Sequence, residues 1–95
     1  MKKLSANDVR WIRNHAGKVF RLSDNECVLL LKLLSTENFN YAELAKDIGV
    51  TRQAATQAAQ RFERAELVVI TRVKRYAARA DAGRALRAVL AASTK

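Results

Sequence analysis

The sequence predicts a mainly α fold with one small β-hairpin toward its C-terminal end, and three observations predict it. Pro is absent and only 3 Gly occur in 95 residues, so little in the chain interrupts helices. Apolar residues recur at helical spacing, as at Ala55, Ala58, Ala59 and Phe62, which fall at i, i+3, i+4 and i+7. After Phe62 the period changes, and Leu67-Val68-Val69-Ile70-Thr71 is a β-branched apolar run with the character of a strand. A chain of this length supports one core, so residues 1–95 are expected to form a single domain.

Each element has a local signal. Ser5 with Asp8 forms a capping pattern, which predicts a first helix from Ala6 to about Ala16, stopped by Gly17. Val9, Ile12 and Ala16 share its apolar face. Trp11 lies off that face beside Asp8 and His15, which suits either partial core burial or a contact with a second subunit. His15, near the helix end, reads as a dipole-compensating or solvated side chain. Ser23 with Glu26 is a second capping box and opens a helix from Asp24 to about Ser35. Its stripe is Cys27, Leu30, Leu31 and Leu34, while Val28, Leu29 and Leu33 extend apolar character nearly all round. Such a helix is expected to be buried on most sides, with Cys27 a small core hydrophobe.

Phe39 is expected in a one-rung strand. Asn40 followed by Glu43 is an N-cap with its reciprocal acid, so a third helix should begin at Tyr41. Gly49 follows its last apolar position, where a residue tolerant of positive φ ends a helix at low strain. Thr51 can then cap a fourth helix from Arg52. Two short helices joined this tightly make a helix-turn-helix pattern over about 41–65. The strand beginning at Leu67 would turn at Arg72-Val73-Lys74-Arg75 and return through Tyr76-Ala77-Ala78-Arg79, a hairpin over about 67–80. That tip lacks Gly and Asn, and the rival arrangement is one alanine-rich helix from Arg72 to Ala92. Asp81 can cap a last helix over about 82–92, with Leu86, Val89 and Leu90 as its stripe, and Ser93-Thr94-Lys95 should fray.

Charge is segregated along the chain. The formal net charge of +9 divides into +4 over residues 1–24, −2 over residues 25–50 and +7 over residues 51–95. Basic groups thus gather on the fourth helix, the hairpin and the two ends, as a polyanion-binding surface requires. The polar face of the fourth helix carries Arg52, Gln53, Thr56, Gln57, Gln60, Arg61 and Arg64, with no carboxylate before Glu63. Arg and Gln can each offer paired hydrogen bonds to base edges in the major groove, and a recognition helix presents its first turns there. Arg52, Gln53, Thr56 and Gln57 are therefore the candidate base readers. Arg61 and Arg64 lie farther along and suit phosphate, with Thr51 and Gln60 as further candidates for the backbone.

The run LSDNECVLLLKLLSTENFNYAELAKDIGVTRQAATQAAQRFERAELVVITR, followed by ADAGRALRAVL, resembles the winged helix-turn-helix domain of MarR-type transcriptional regulators over about Leu22 to Leu90. The best-matching parts are AELAKDIGVTR, the apolar spacing to Phe62, and LVVITR. The resemblance implies base contacts from Arg52, Gln53, Thr56 and Gln57. It also implies a wing whose Arg72, Lys74 and Arg75 follow the adjacent minor groove or backbone. Two departures stand out: Glu66 occupies the position before the wing's first Leu where the family usually has Gly, and the helices that normally build the dimer interface are short.

Other functions have little support in the residues. One His, one Cys and no Gly-rich phosphate loop give no catalytic constellation, and no Cys/His cluster suits a metal. No apolar run approaches the roughly 20 residues that cross a bilayer, and no apolar segment follows the basic start to make a signal peptide. The expectation is a cytoplasmic, non-enzymatic protein without cofactor that binds double-stranded DNA in a sequence-specific way, as a small homodimeric transcriptional repressor. Trp11, Leu86, Val89 and Leu90 are the candidates for the dimer interface. A plasmid or phage accessory factor for partition, replication or excision would show the same surface. A winged helix serving as a protein-interaction module is the third reading. No small-molecule effector follows from the residues.

Overall fold

The computed structural model describes residues 4–75 and 77–93. The first helical arm, α1, covers residues 6–19. It is α-helical over Ala6–Trp11, π-helical over Ile12–Ala16 and α-helical again over Gly17–Val19. The remaining elements are α2 (Asp24–Ser35), α3 (Tyr41–Ile48), α4 (Arg52–Arg64), β1 (Val68–Lys74), β2 (Ala77–Ala82) and α5 (Arg84–Ser93). The fold is mainly α with one antiparallel two-stranded hairpin.

The helix starts follow the side chains that can satisfy free amides. Ser5 and Ser23 each close a capping box, with Asp8 and Glu26 returning the bond to the cap residue's own amide. Asn40 works differently from the expected reciprocal pair: its Oδ1 accepts from both the Ala42 and Glu43 amides. Thr51 Oγ1 accepts from the Ala54 amide. Gly49 takes the left-handed conformation at φ 84° and ends α3.

Gly17 does not stop α1. It is right-handed helical at φ −58°, ψ −40°, and the arm continues through it to Val19. The stop falls to Arg21, which is left-handed at φ 56°, with the Leu22 amide donating to the Gly17 carbonyl. A side chain at position 17 would crowd the Leu22 carbonyl, whose oxygen lies 3.2 Å from an ideal Cβ. Close approach, and not helix termination, is what glycine supplies there.

One core joins all the helices. Phe62 of α4 is 1% exposed and sits among Ile12, Leu30, Leu33, Leu67 and Leu86, all buried. The buried stripe of α2 is Leu29, Leu30, Leu33 and Leu34, which corrects the expected one. Cys27 and Leu31 are only half-buried and Val28 is exposed, because α1 crosses that flank of α2 without covering it. Burial, then the Asp24 and Glu26 carboxylates, push the Cys27 thiol up, so it is protonated at neutral pH. Trp11 is half-buried, with His15 tilted against it at a ring-centroid distance of 5.7 Å and Phe20 edge-on at 6.5 Å.

Residues 72–92 do not form one helix. β1 pairs with β2 from Val68↔Ala82 to Lys74↔Ala77, with an irregularity between Arg72 and Lys74. β1 runs on into the expected turn, so Arg72 and Lys74 belong to it, and β2 extends past the expected Arg79 to Ala82. Tyr76, expected in the return strand, lies outside the described residues, as do Thr94 and Lys95 of the tail expected to fray. Phe39 adds a single rung, exchanging two hydrogen bonds with Ala78 at 2.7 and 2.8 Å. The alanines of β2 favour helix in isolation, but Ala80 is fully buried against the core, and that packing overrides propensity.

Asp81 does not cap the last helix; it sits in β2 opposite Val69, with its carboxylate 3.5 Å from Arg79 Nε. The start of α5 is capped by main chain. The Ala85 amide donates to the Glu66 carbonyl and the Gly83 amide to the Leu67 carbonyl. Glu66 must be left-handed, at φ 60°, to aim that carbonyl. This accounts for the position at which glycine is usual in the family the sequence resembles. A Cβ at Gly83 would lie 2.2 Å from the Glu66 oxygen and 2.8 Å from the Leu67 carbonyl carbon, both backbone atoms that cannot swing aside.

Two substitutions test this junction. Gly83→Ala should lower stability by about 3 kcal/mol, the upper part of the usual overpacking range. Glu66→Gly should raise it by up to about 1 kcal/mol, since relief of left-handed strain exceeds the added freedom of the unfolded chain. Urea denaturation midpoints at constant slope measure both.

Candidate nucleic-acid interface

The surface of α4 follows from where its small residues lie. Ala55, Ala58, Ala59 and Phe62 are buried, and the three alanines let α4 lie close on α3 and the core. At about 100° per residue, Gln53, Gln57, Gln60 and Arg64 then fall within an arc of about 60° on the outer face. All four are exposed. The outward stripe is therefore three amides and one guanidinium, with no carboxylate in it.

The expected base readers are not equivalent. Gln53 and Gln57 lie in that stripe. Arg52 is exposed at the first turn but lies to one side of it. Thr56 is half-buried, and its hydroxyl donates to the Arg52 carbonyl at 2.9 Å, so only its acceptor lone pairs remain free. Gln60, expected at the backbone, shares the stripe with Gln53 and Gln57. Thr51 Oγ1 accepts from the Ala54 amide at the helix start.

The two flanks of α4 differ. On one side Arg52 meets the hairpin. Arg52, Arg72, Lys74 and Arg75 line one cleft of about 340 Å³, with Asn40, Tyr41 and Ala42 from the start of α3 and Ala78 from β2. No carboxylate lines it. Tyr41, missed by sequence reasoning, supplies a neutral phenol there. Burial, then the charge of Glu63, holds its hydroxyl above the ordinary tyrosine range, so it stays a hydrogen-bond donor. Its ring is set by Phe39, edge-on at 5.2 Å. A signal for this residue existed, since Tyr41 is the first helical position after the Asn40 cap, but nothing local indicated that the hairpin would fold over it.

The other flank carries an ion pair between helices. Arg61, expected at the DNA backbone, pairs with Glu26 of α2 while its side chain stays 62% exposed. Glu26 thus has two tasks: Oε1 accepts from the Ser23 amide and Oε2 holds Arg61. The shallow groove along this side is lined by Ala54, Gln57, Gln60, Arg61 and Arg64. Arg64 remains outward.

The apolar stripe of α5 also lands differently. Leu86 is fully buried and Leu90 nearly so, both in the chain's own core, so neither offers a surface for a second subunit. Val89 and Trp11 are half-buried and remain partly open. Among the described residues no group of three or more His, Cys, Asp or Glu is placed to hold a metal. No described helix is long and apolar enough to cross a membrane.

No protein-family model matches the chain, and no curated protein matches it. Solved structures do. RV1404 from Mycobacterium tuberculosis is 22% identical with a TM-score of 0.64, over 90% of this chain and 60% of that one. The transcriptional regulator BldR from Sulfolobus solfataricus is 26% identical with a TM-score of 0.61, over 92% of this chain and 63% of that one. NolR from Sinorhizobium fredii is 20% identical with a TM-score of 0.55, over 99% of this chain and 94% of that one. The chain thus spans under two thirds of the length of RV1404 and BldR. The architecture is that of a winged helix-turn-helix domain, with α3 and α4 as the helix pair and β1–β2 as the wing.

The Thr51 cap sets the first turn that carries Arg52 and Gln53. Thr51→Ala should lower stability by about 1 kcal/mol, read from the shift in urea midpoint. Glu26→Gln should weaken the α2 start and release Arg61, giving a smaller loss of about 0.5–1 kcal/mol in the same measurement.

Proposed function

We propose that this winged helix-turn-helix domain binds double-stranded DNA in a sequence-specific way, with α4 in the major groove and the hairpin against the adjacent backbone or minor groove. The observation that carries the reading is the cleft in which Arg52, at the start of α4, meets Arg72, Lys74 and Arg75 of the hairpin, beside an outward row of amides. Such a row can pair with base edges, while a neighbouring cationic cleft without carboxylates takes phosphate. Gln53 and Gln57 read bases, with Arg52 either reading a guanine or clamping the flanking phosphate. Thr51, Gln60, Arg64 and the hairpin cations set the register.

The biological role that fits this chemistry is a small MarR-like transcriptional repressor acting as a homodimer in the cytoplasm. BldR, to which the chain is similar, is a transcriptional regulator. Dimer formation rests on the partly open Trp11 and Val89 and on the two-fold pairing that half-site recognition demands.

Selection of bound sequences from a random DNA library should return a defined site. With that site, Arg52→Ala combined with Gln57→Ala should weaken binding by about two orders of magnitude or more while the thermal midpoint stays put. Unchanged affinity in a mobility-shift titration would remove α4 from the interface. Affinity should fall about a thousandfold between about 50 and 200 mM salt. Arg72→Ala with Lys74→Ala should weaken all sequences alike and reduce the salt slope by about 2.

A further inference from the structure

A second hollow in the described surface lies apart from this interface. It is a trough of about 880 Å³ between α1 and α2, and no residue of α4 or the hairpin lines it. Its walls are Val9, Leu22, Cys27 and Leu31, all half-buried, with Val28 standing 45% exposed at the edge. Gly17 deepens it, since a side chain there would approach Cys27 Sγ at 3.5 Å. Exposed Arg13 and Lys18 stand on the α1 side and exposed Lys32 on the α2 side, against a single carboxylate, Asp24, in the lining.

We propose that this trough is a docking site for an amphipathic helix of another protein that carries acidic residues along both edges of its apolar face. Three arguments select that occupant. The lined stretches of α1 and α2 each run about 15 Å, so the trough takes close to three turns of helix laid along it. Its apolar floor and cationic rims match an apolar stripe bordered by Asp or Glu. A second copy of this chain is a poor fit, because it would bring Arg13, Lys18 and Lys32 against their own equivalents in a chain of net charge +9. The face stays accessible when α4 is occupied, so the partner can bind alongside whatever α4 and the hairpin hold. This inference stands independently of the DNA reading.

The test uses the full chain and a fluorescein-labelled synthetic peptide of about 14 residues, with Leu at i, i+4, i+7 and i+11 and Glu at the flanking positions. A second peptide carries Lys in place of every Glu. Fluorescence anisotropy should give a Kd on the order of 10 µM for the acidic peptide and at least about tenfold weaker binding for the basic one. Arg13→Glu with Lys32→Glu, and separately Val28→Asp, should each weaken the acidic peptide at least about tenfold. All three positions are exposed, and circular dichroism checks that the variants keep the fold. Arg52→Ala with Arg72→Ala should leave peptide binding unchanged. Equal binding of both peptides, or of neither, overturns the proposal. So does loss of binding in Arg52→Ala with Arg72→Ala, which would place the peptide on the α4–hairpin surface. A shift from dimer to monomer on Val28→Asp, seen by sedimentation, would assign the trough to a second copy and overturn it equally.

Discussion

The contact between Gly83 and the main chain of Glu66 and Leu67 is the constraint on which the geometry of the proposed interface depends. Three elements meet there: α4 has just ended, β1 is about to begin, and α5 starts from the far end of the hairpin. The Glu66 and Leu67 carbonyls accept from Ala85 and Gly83, so the start of α5 is satisfied by the backbone of the α4–β1 turn. Backbone approaching backbone this closely leaves no room for a Cβ. The result is a hairpin rooted beside α4 by main-chain hydrogen bonds, and from that root Arg72 and Lys74 line one cleft with Arg52. A hairpin joined to α4 only by a flexible connection could not hold cations from two distant parts of the chain on one cleft.

A second device sets the other flank. Glu26 caps its own helix through one oxygen and holds Arg61 through the other. A pair this exposed contributes little to stability, since water and salt screen it. Its effect is on direction. It ties Arg61, which lies beside the outward arc of Gln53, Gln57, Gln60 and Arg64, to α2.

The first arm shows how packing can reset a helix without breaking it. The π-helical turn over Ile12–Ala16 adds a residue to the winding and keeps both Ile12 and Ala16 fully buried. The arm therefore runs on through Gly17, reaches Val19 and ends on a left-handed Arg21. Because it covers Cys27 and Leu31 only in part and leaves Val28 exposed, the same packing that completes the core also opens the trough.

The sequence by itself determined what depends on neighbours a few residues apart. Caps at Ser5, Ser23, Asn40 and Thr51, and the left-handed Gly49, are decided within one turn of chain, so the helix starts and the helix-turn-helix were legible. The segregation of positive charge onto residues 51–95 was legible for the same reason: it needs only counting. Tertiary structure decided whatever depends on residues far apart. Whether the alanines of residues 77–82 become strand or helix is settled by burial of Ala80, and Asp81 loses its capping role in consequence. Leu86 and Leu90 become core and not interface because α5 packs inward. Arg61 pairs with Glu26, 35 residues away, because the fold brings α2 beside α4. Periodicity identifies an apolar face or a charged one, but only the meeting of distant segments decides what each face meets.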